Sequence, residues 1–330
     1  MLILRGITMK KLLLTIFCLL QIFTAFAATA KYQSEDYDLS LQYNDVITPG
    51  DAIFVRMTII LPRNHKKSKE LNQKASLQML SDKKVIESAP FYVLPKTKKS
   101  NTFEMLCGIP VSLWLTQGNY SLKLIFANSD SDIKEFILPS TYQDREFNKE
   151  VIELDAKNTA IKTNNSPERS AQIDKLNDIL FTSMPQDIYS LKAFKKPILS
   201  ERMTAFFGDK RIYAYTNGKS STSFHYGDDY GIPTGTEVFA CSDGKVVMAE
   251  NRISTGYSIV IEHLPGLYSL YYHLSEMAVK EGDMVKQGQL IAKSGATGLA
   301  TGPHLHWEIR LNGSAVRPDF FIKDYTFEEE

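Results

Sequence analysis

Cysteine is scarce in this chain of 330 residues; there are three, too few for a disulfide scaffold. Net charge is absent as well, with Lys plus Arg at 38 and Asp plus Glu at 38. No long block of one sign occurs outside the short Glu328, Glu329, Glu330 tail. A dedicated nucleic-acid or anionic-membrane binder draws its affinity from clustered Lys and Arg, so the composition excludes that class. No heptad repeat is sustained, which excludes a long coiled coil. What is present is the composition of a folded protein, 43% hydrophobic and 23% charged. The length is more than twice the commonest domain size and predicts two domains with separate cores.

The neutral balance conceals a basic leader. Arg5, Lys10 and Lys11 precede an apolar run from Leu12 to Ala27, closed by Ala25-Phe26-Ala27 and Ala28-Thr29-Ala30, two small-x-small cleavage candidates. Charge order, length and exit chemistry predict a secretory signal peptide over residues 1–30. The alternative is an uncleaved anchor, since Leu12 to Ala30 is just long enough to span a bilayer. Thr15, Gln21 and Thr24 dilute the run, however, and small residues close it. The bulky Phe17 before Cys18 speaks against a lipid-modified cysteine, and Met9 is an alternative start. Removing three positive charges and no negative ones leaves the mature chain at −3. The protein is expected to be exported, periplasmic or envelope-associated, with no stable membrane span after cleavage. Cys107 and Cys241 fall in different predicted domains and are expected as two buried thiols.

The fold class predicted is mainly β. Over residues 31–140 short alternating segments are separated by turn residues, the pattern of an antiparallel sandwich. Ile53, Val55, Met57 and Ile59 share one strand face, as do Tyr120, Leu122, Leu124 and Phe126. Seven short strands here predict an immunoglobulin-like β-sandwich without its cysteine pair. The basic stretches His65-Lys66-Lys67 and Lys96 to Lys99 read as solvated loops. Residues 141–196 are polar and read as a linker with one amphipathic helix, capped by Asn164-Asn165-Ser166 with Pro167 in its first turn. Ile173, Leu176, Ile179 and Leu180 follow at helical spacing. From 197 to 330 glycine density rises. Gly235-Thr236-x-Val238-x-Ala240 is echoed by Gly282-Asp283-x-Val285-x2-Gly288-Gln289, which predicts an internally duplicated barrel–sandwich hybrid.

Five of the six histidines lie in the last 110 residues. In Phe224-His225-Tyr226-Gly227-Asp228-Asp229-Tyr230 a strand would place 225, 227 and 229 on one face, with Gly227 leaving open space and Asp228 pointing away. In His304-Leu305-His306-Trp307-Glu308-Ile309 the same alternation sets His304, His306 and Glu308 on one face and Leu305, Trp307 and Ile309 in the core. His65 and His263 read as ordinary structural histidines. The remaining histidines, with His273 in Tyr271-Tyr272-His273-Leu274, exceed what a metal with one open position needs, so some are ligands and some catalysts.

At this density of motifs the segment from about 197 to 322 resembles the lysostaphin and LytM type of zinc metallo-endopeptidases, whose fold is the duplicated hybrid motif. The resemblance is carried by Phe207-Gly208, His225-x-Gly227-x-Asp229, Pro233-x-Gly235-Thr236, Tyr272-His273-Leu274, Gly282-x2-Val285-x2-Gly288-Gln289 and Gly302-Pro303-His304-Leu305-His306. It implies one zinc ion on His225, Asp229 and His306, with His304 and His273 as the catalytic pair. The implied substrate is the peptide of bacterial peptidoglycan, attacked by a zinc-bound water. His304 is then the candidate base, and His273 the donor to the oxyanion or leaving amine, a division open to reversal. Glu308 either orients a ligand or reaches solvent, and Tyr226, Tyr230, Tyr271 and Tyr272 either line a groove or pack. The rival implied by relatives without metal residues is a non-catalytic regulator that activates another wall hydrolase. A biotinyl- or lipoyl-type carrier would share the second hairpin but leave the histidines unexplained. The amino-terminal domain lies outside the resemblance and is a candidate for binding wall polymer, holding a cell-wall or divisome protein partner, or covering the catalytic groove as an inhibitory segment.

Overall fold

The alternation read in the sequence becomes strands. The structure, a computed structural model, describes residues 28–62, 73–95 and 101–327. Residues 1–27 of the expected leader, His65 with its neighbouring lysines, Lys96 to Lys99 and the terminal glutamates lie outside the described residues. The chain is mainly β, with helical segments confined to 156–162, 167–181 and 320–324 among the described residues. It divides into two compact units. Among the described residues, one comprises those up to Asp45, within Phe54–Cys107 and in Asn119–Thr141; the other comprises Val46–Ile53, Gly108–Gly118 and those from Tyr142 onward.

The strand Ala52–Ile60 buries Ile53, Val55, Met57 and Ile59 fully and enters the first unit at Phe54, so the last three belong to that unit. Leu122, Leu124 and Phe126 do the same along Tyr120–Ser129, alternating with half-exposed residues. A five-stranded sheet runs in the order Ala28–Gln33, Asp38–Tyr43, Ala52–Ile60, Thr102–Pro110, Tyr92–Val93. A four-stranded sheet runs in the order Asp132–Leu138, Tyr120–Ser129, Lys74–Ser81, Lys84–Pro90. Aromatic contacts join the two sheets: Tyr32 against Phe136 at 5.2 Å and Tyr37 against Phe126 at 5.0 Å between ring centroids. The strand order departs from the immunoglobulin expectation. There the second strand neighbours the fifth, whereas here Asp38–Tyr43 lies between the first strand and Ala52–Ile60 as a meander. Ala28, Thr29 and Ala30 pair with Tyr43, Gln42 and Leu41, so a strand begins inside the segment expected to be leader.

The second unit is built on an eight-stranded antiparallel sheet. Its central order is Gly227–Tyr230, Leu305–Leu311, Leu267–Leu274, Gly256–Leu264, Gly244–Arg252. Trp307, Leu305, Ile309, Leu270 and Ile259 are fully buried in it. Gly235 and Gly282 open the two glycine-punctuated segments at φ +90° and +94°, a backbone that favours residues without a Cβ. The repeats pair with each other, Val238 opposite Ala292 and Ala240 N–H donating to the Gln289 carbonyl at 2.9 Å.

Residues 141–196, expected as a linker with one helix, hold two strands, Thr141–Tyr142 and Lys149–Glu153, and two helices. Lys149–Glu153 pairs in parallel with Lys210–Ala214, and the helix Ala156–Lys162 is capped by Asp155, whose Oδ1 accepts from Asn158 N–H at 2.7 Å. That short helix lacks an apolar stripe, the signal that reveals helices in a sequence. The second helix, Pro167–Phe181, starts as expected from the Ser166 cap and Pro167. Leu180 is buried, with Leu176 and Ile179 beside it, on a cluster of Met248, Val260, Tyr268, Leu270 and Tyr272. Ile173 departs from the expected stripe and is 40% exposed. Truncating Leu180 to Ala is expected to cost about 2–5 kcal/mol in denaturant unfolding, the usual loss for a buried leucine. A change below about 0.5 kcal/mol would show that the helix is not part of this core.

Candidate functional site

Strand register brings the expected residues together. Asp229 lies directly opposite His306, and His306 opposite Tyr272, across three adjacent strands. His225 precedes the strand Gly227–Tyr230 instead of lying on it. It is fixed by backbone bonds, its N–H donating to the Asp209 carbonyl at 2.8 Å and its carbonyl accepting from Gly208 N–H at 2.8 Å. His225, Asp229 and His306 are all buried and form a group able to hold a metal ion.

The tautomers follow from the neighbours. His225 Nδ1 is 2.9 Å from the Phe206 carbonyl oxygen, which accepts only, so the proton sits on Nδ1 and Nε2 carries a lone pair. His306 Nε2 faces Glu308 Oε2 at 3.3 Å, so that nitrogen donates and, in the neutral imidazole, Nδ1 is bare. The two bare nitrogens and Asp229 Oδ1 form a triangle. Its edges are 3.0 Å from His225 to Asp229, 3.0 Å from His225 to His306 and 2.9 Å from His306 to Asp229. Three acceptors at this distance repel one another unless a cation or a proton lies among them. Ligands of a tetrahedral ion bonded at about 2.0–2.1 Å stand about 3.3 Å apart, close to these edges, so the donor set fits a zinc-sized ion. The electrostatics show the same demand for positive charge. Burial by itself would lower His306, but the carboxylates of Asp229 and Glu308 override it and carry the imidazole up to about 9, so near neutrality a proton lies between His306 Nδ1 and Asp229 Oδ1 until a cation takes its place. Asp229, which burial would raise, is held well below the usual carboxylate range by His225 and His306.

His304 and His273 stand beside the triangle. Their rings are 4.6 Å apart, and His304 Nε2 is 3.8 Å from Asp229 Oδ1. His304 Nδ1 faces the Gly302 carbonyl at 2.8 Å and His273 Nδ1 the Thr297 carbonyl at 2.8 Å. Both rings are thereby oriented, with Nε2 the atom left for chemistry. His273 has φ +60°, a left-handed conformation unusual for a non-glycine residue, with its backbone N–H held by the Thr255 carbonyl at 2.9 Å.

Several expectations are sharpened or corrected. Leu305, Trp307 and Ile309 form the core face as read, but Glu308 does not reach solvent; it is 2% exposed, bound to His306 and paired with Arg310. Gly227 does not leave open space for an ion. A Cβ there would meet the Trp307 carbonyl oxygen and lie 2.8 Å from His306 Nε2, so the glycine admits the neighbouring strand and the His306 ring. Asp228 does turn from the triangle and accepts from Phe207 N–H at 3.0 Å. Tyr230 and Tyr271 are fully buried packing residues, whereas Tyr272 stacks on His306 with ring planes 8° apart. His263 is buried and bound to the Asp243 carbonyl and Ser269, and burial lowers it to about 4, consistent with a neutral structural residue. Cys107 and Cys241 are free and buried.

Sequence reasoning missed Arg211, whose Nη2 donates to Asp229 Oδ2 at 2.9 Å, and Glu150, which accepts from Arg211 Nε at 2.6 Å. No spacing rule links residues so far apart in sequence. Arg310 was within reach of the alternation that placed Glu308, two residues away on the same face.

Comparison with known proteins matches this region. Residues 223–318 match the model of peptidase family M23, so the chain carries a peptidase M23 domain. Peptidoglycan DD-endopeptidase ShyA of Vibrio cholerae is 39% identical over 127 residues, 38% of this chain and 29% of that protein. DD-carboxypeptidase/endopeptidase Mpg of Neisseria meningitidis is 37% identical over 123 residues, 37% of this chain and 27% of that protein. The matched segment thus spans less than a third of these curated relatives. A crystal structure from Pseudomonas aeruginosa assigned to peptidase M23 covers 85% of this chain and 96% of its own, with a TM-score of 0.53 at 20% identity, and shares the fold.

Replacing Gly227 with Ala is expected to displace His306 and lower metal affinity at least tenfold while costing about 1–3 kcal/mol of stability, the range for overpacking a tight site. Titration with zinc and urea unfolding check it; unchanged zinc affinity would show that His306 does not need this close approach.

Proposed function

We propose that this protein is an exported zinc-dependent endopeptidase that hydrolyses peptide cross-links of bacterial peptidoglycan. The observation that carries the reading is the triangle formed by His225 Nε2, Asp229 Oδ1 and His306 Nδ1 beside two further oriented imidazoles. Two imidazoles and one carboxylate leave a tetrahedral ion one position for water or substrate, the mark of a catalytic site. The relatives named as peptidoglycan DD-endopeptidases support the substrate class. Export follows from the amino-terminal leader. The pairing of Ala28–Ala30 with Leu41–Tyr43 favours cleavage after Ala27 over cleavage after Ala30.

When bound, zinc supplies Lewis acidity and makes water acidic enough to attack near neutrality. The chain's own residues do the rest. His304 Nε2, the nearer of the two, accepts a proton from the attacking water. His273 Nδ1–H is committed to the Thr297 carbonyl, so only Nε2 faces the reaction, where it receives the proton that His304 has taken from the water and passes it to the developing oxyanion or the leaving amine. Glu308, anchored by Arg310, holds His306 in the tautomer that points Nδ1 at the metal position.

Purified protein from Ala28 onward, incubated with peptidoglycan, is expected to release cross-link peptides detectable by mass spectrometry and to stop when a zinc chelator is added. Asp229→Ala is expected to abolish zinc retention. His304→Ala is expected to keep zinc and lose about 10²–10⁴-fold in turnover. Equal zinc loss in both variants overturns the assignment of roles. Fully metallated protein that releases nothing from several cross-link types favours the non-catalytic regulator.

A further inference from the structure

We infer that Arg211 is a positioning residue for the metal site, held in place by Glu150 from a strand outside the matched peptidase segment. The inference rests on the reading of His225, Asp229 and His306 as zinc ligands and extends it to the atom of Asp229 that does the binding. Arg211 lies on the strand Lys210–Ala214, between Lys149–Glu153 on one side and Ser220–Phe224 on the other. Glu150 and Arg211 are direct register partners in the parallel pair. The guanidinium spans two carboxylates, Nε to Glu150 Oε1 at 2.6 Å and Nη2 to Asp229 Oδ2 at 2.9 Å. The arginine and aspartate side chains are only 12% and 10% exposed, so this is no solvated surface pair.

The geometry assigns separate duties to the two oxygens of Asp229. Oδ1 meets His225 Nε2 and His306 Nδ1, while Oδ2 is occupied by Arg211. A carboxylate free at both oxygens can turn or bind an ion through both, which would consume the position a catalytic site keeps open. With Oδ2 tied to a planar, always charged donor, the carboxylate presents one oxygen in one orientation. A charge-assisted bond to a metal ligand is the kind of support whose loss lowers metal affinity about 10–100-fold. Glu150 matters because Arg211 has a long, flexible side chain, and an anchor at Nε leaves only the Nη edge to face Asp229. A single ammonium at the same position reaches one carboxylate or the other as a point charge and does not span both.

The test measures zinc affinity by competition with a chromophoric chelator, and the visible spectrum of cobalt(II)-substituted protein, in the full chain. Arg211→Ala is expected to lose about 10–100-fold in zinc affinity and to alter the cobalt spectrum, which reports ligand geometry. Arg211→Lys is expected to recover part of that loss. Glu150→Gln, which keeps the shape of the strand and removes the anchoring charge, is expected to lose severalfold with the same unfolding midpoint as the parent chain in the absence of metal. Asp229→Ala serves as the reference. If Asp229→Ala loses zinc while Arg211→Ala and Glu150→Gln both bind within twofold of the parent and leave the cobalt spectrum unchanged, the positioning role is overturned and the ligand assignment stands. If Asp229→Ala itself keeps zinc, the ligand assignment falls and the positioning role with it. Should Arg211→Ala fail to fold, Glu150→Gln and Arg211→Lys decide alone by the same two readouts.

Discussion

The convergence of three polar atoms at about hydrogen-bond distance, two imidazole nitrogens and one carboxylate oxygen, is the constraint around which the second unit is organised. Holding His225 Nε2, His306 Nδ1 and Asp229 Oδ1 together calls for rigid backbone, because no flexible side chain would keep such an arrangement unaided. The backbone supplies it through register. Asp229 and His306 are cross-strand partners on the second and third strands from one edge of an eight-stranded sheet, so their separation is set by ladder hydrogen bonds and not by rotamers alone. His225, just ahead of the strand, is clamped at its backbone by Asp209 and Gly208 and at its ring by the Phe206 carbonyl. Gly227 then follows as a packing requirement, since the strands and the His306 ring approach too closely for a Cβ.

The same logic of fixed acceptors governs the outer histidines. Each of the four imidazoles around the site spends one nitrogen on an oxygen that accepts only: Phe206, Glu308, Gly302 and Thr297 supply them. Three of those oxygens are backbone carbonyls, which do not titrate and do not change identity with the side chain at that position. Tautomer choice is therefore written largely into the chain trace, and the side-chain nitrogens left over converge on one small region. The left-handed backbone at His273 belongs to this scheme, because it turns a residue at the end of a strand so that Nδ1 finds the Thr297 carbonyl. Strain of that kind is kept where the surroundings over-determine it.

How much of this was legible in the sequence depended on whether the information was local. Period-two alternation placed Leu305, Trp307 and Ile309 in the core and His306 with Glu308 on the opposite face, because side-chain direction in a strand follows from position alone. The glycine-punctuated repeats were visible for the same reason, since a positive φ at Gly235 and Gly282 is a local demand. The Ser166 cap and Pro167 marked the longer helix, while the short helix at Ala156–Lys162 had no apolar stripe to announce it. The strand order of the first unit was not legible, because alternation tells which face is buried and says nothing about which strand is next door. The reading of Gly227 failed for a related reason. A missing side chain signals that something comes close, and only the structure shows that it is a neighbouring strand and a histidine ring.

What alternation and motif spacing both omit is support from a distance. The segment recognised by family comparison, 223–318, contains the three donors, His273 and His304. The groups that orient them extend beyond it: the Phe206 carbonyl on His225, Arg211 on Asp229 and Glu150 on Arg211. Glu150 reaches the site because Lys149–Glu153 joins the edge of a three-stranded sheet in parallel, a pairing between segments far apart in the chain. The strand that a polar composition disguised as linker thereby acquires a definite task, since its register sets which face Glu150 presents and a slip of one residue would turn that carboxylate away from Arg211. A metal site assembled from conserved spacing alone would stop at its ligands. Here the carboxylate that completes the triangle is held from behind by an ion pair to a separate strand, so the functional unit is larger than the motif that reveals it.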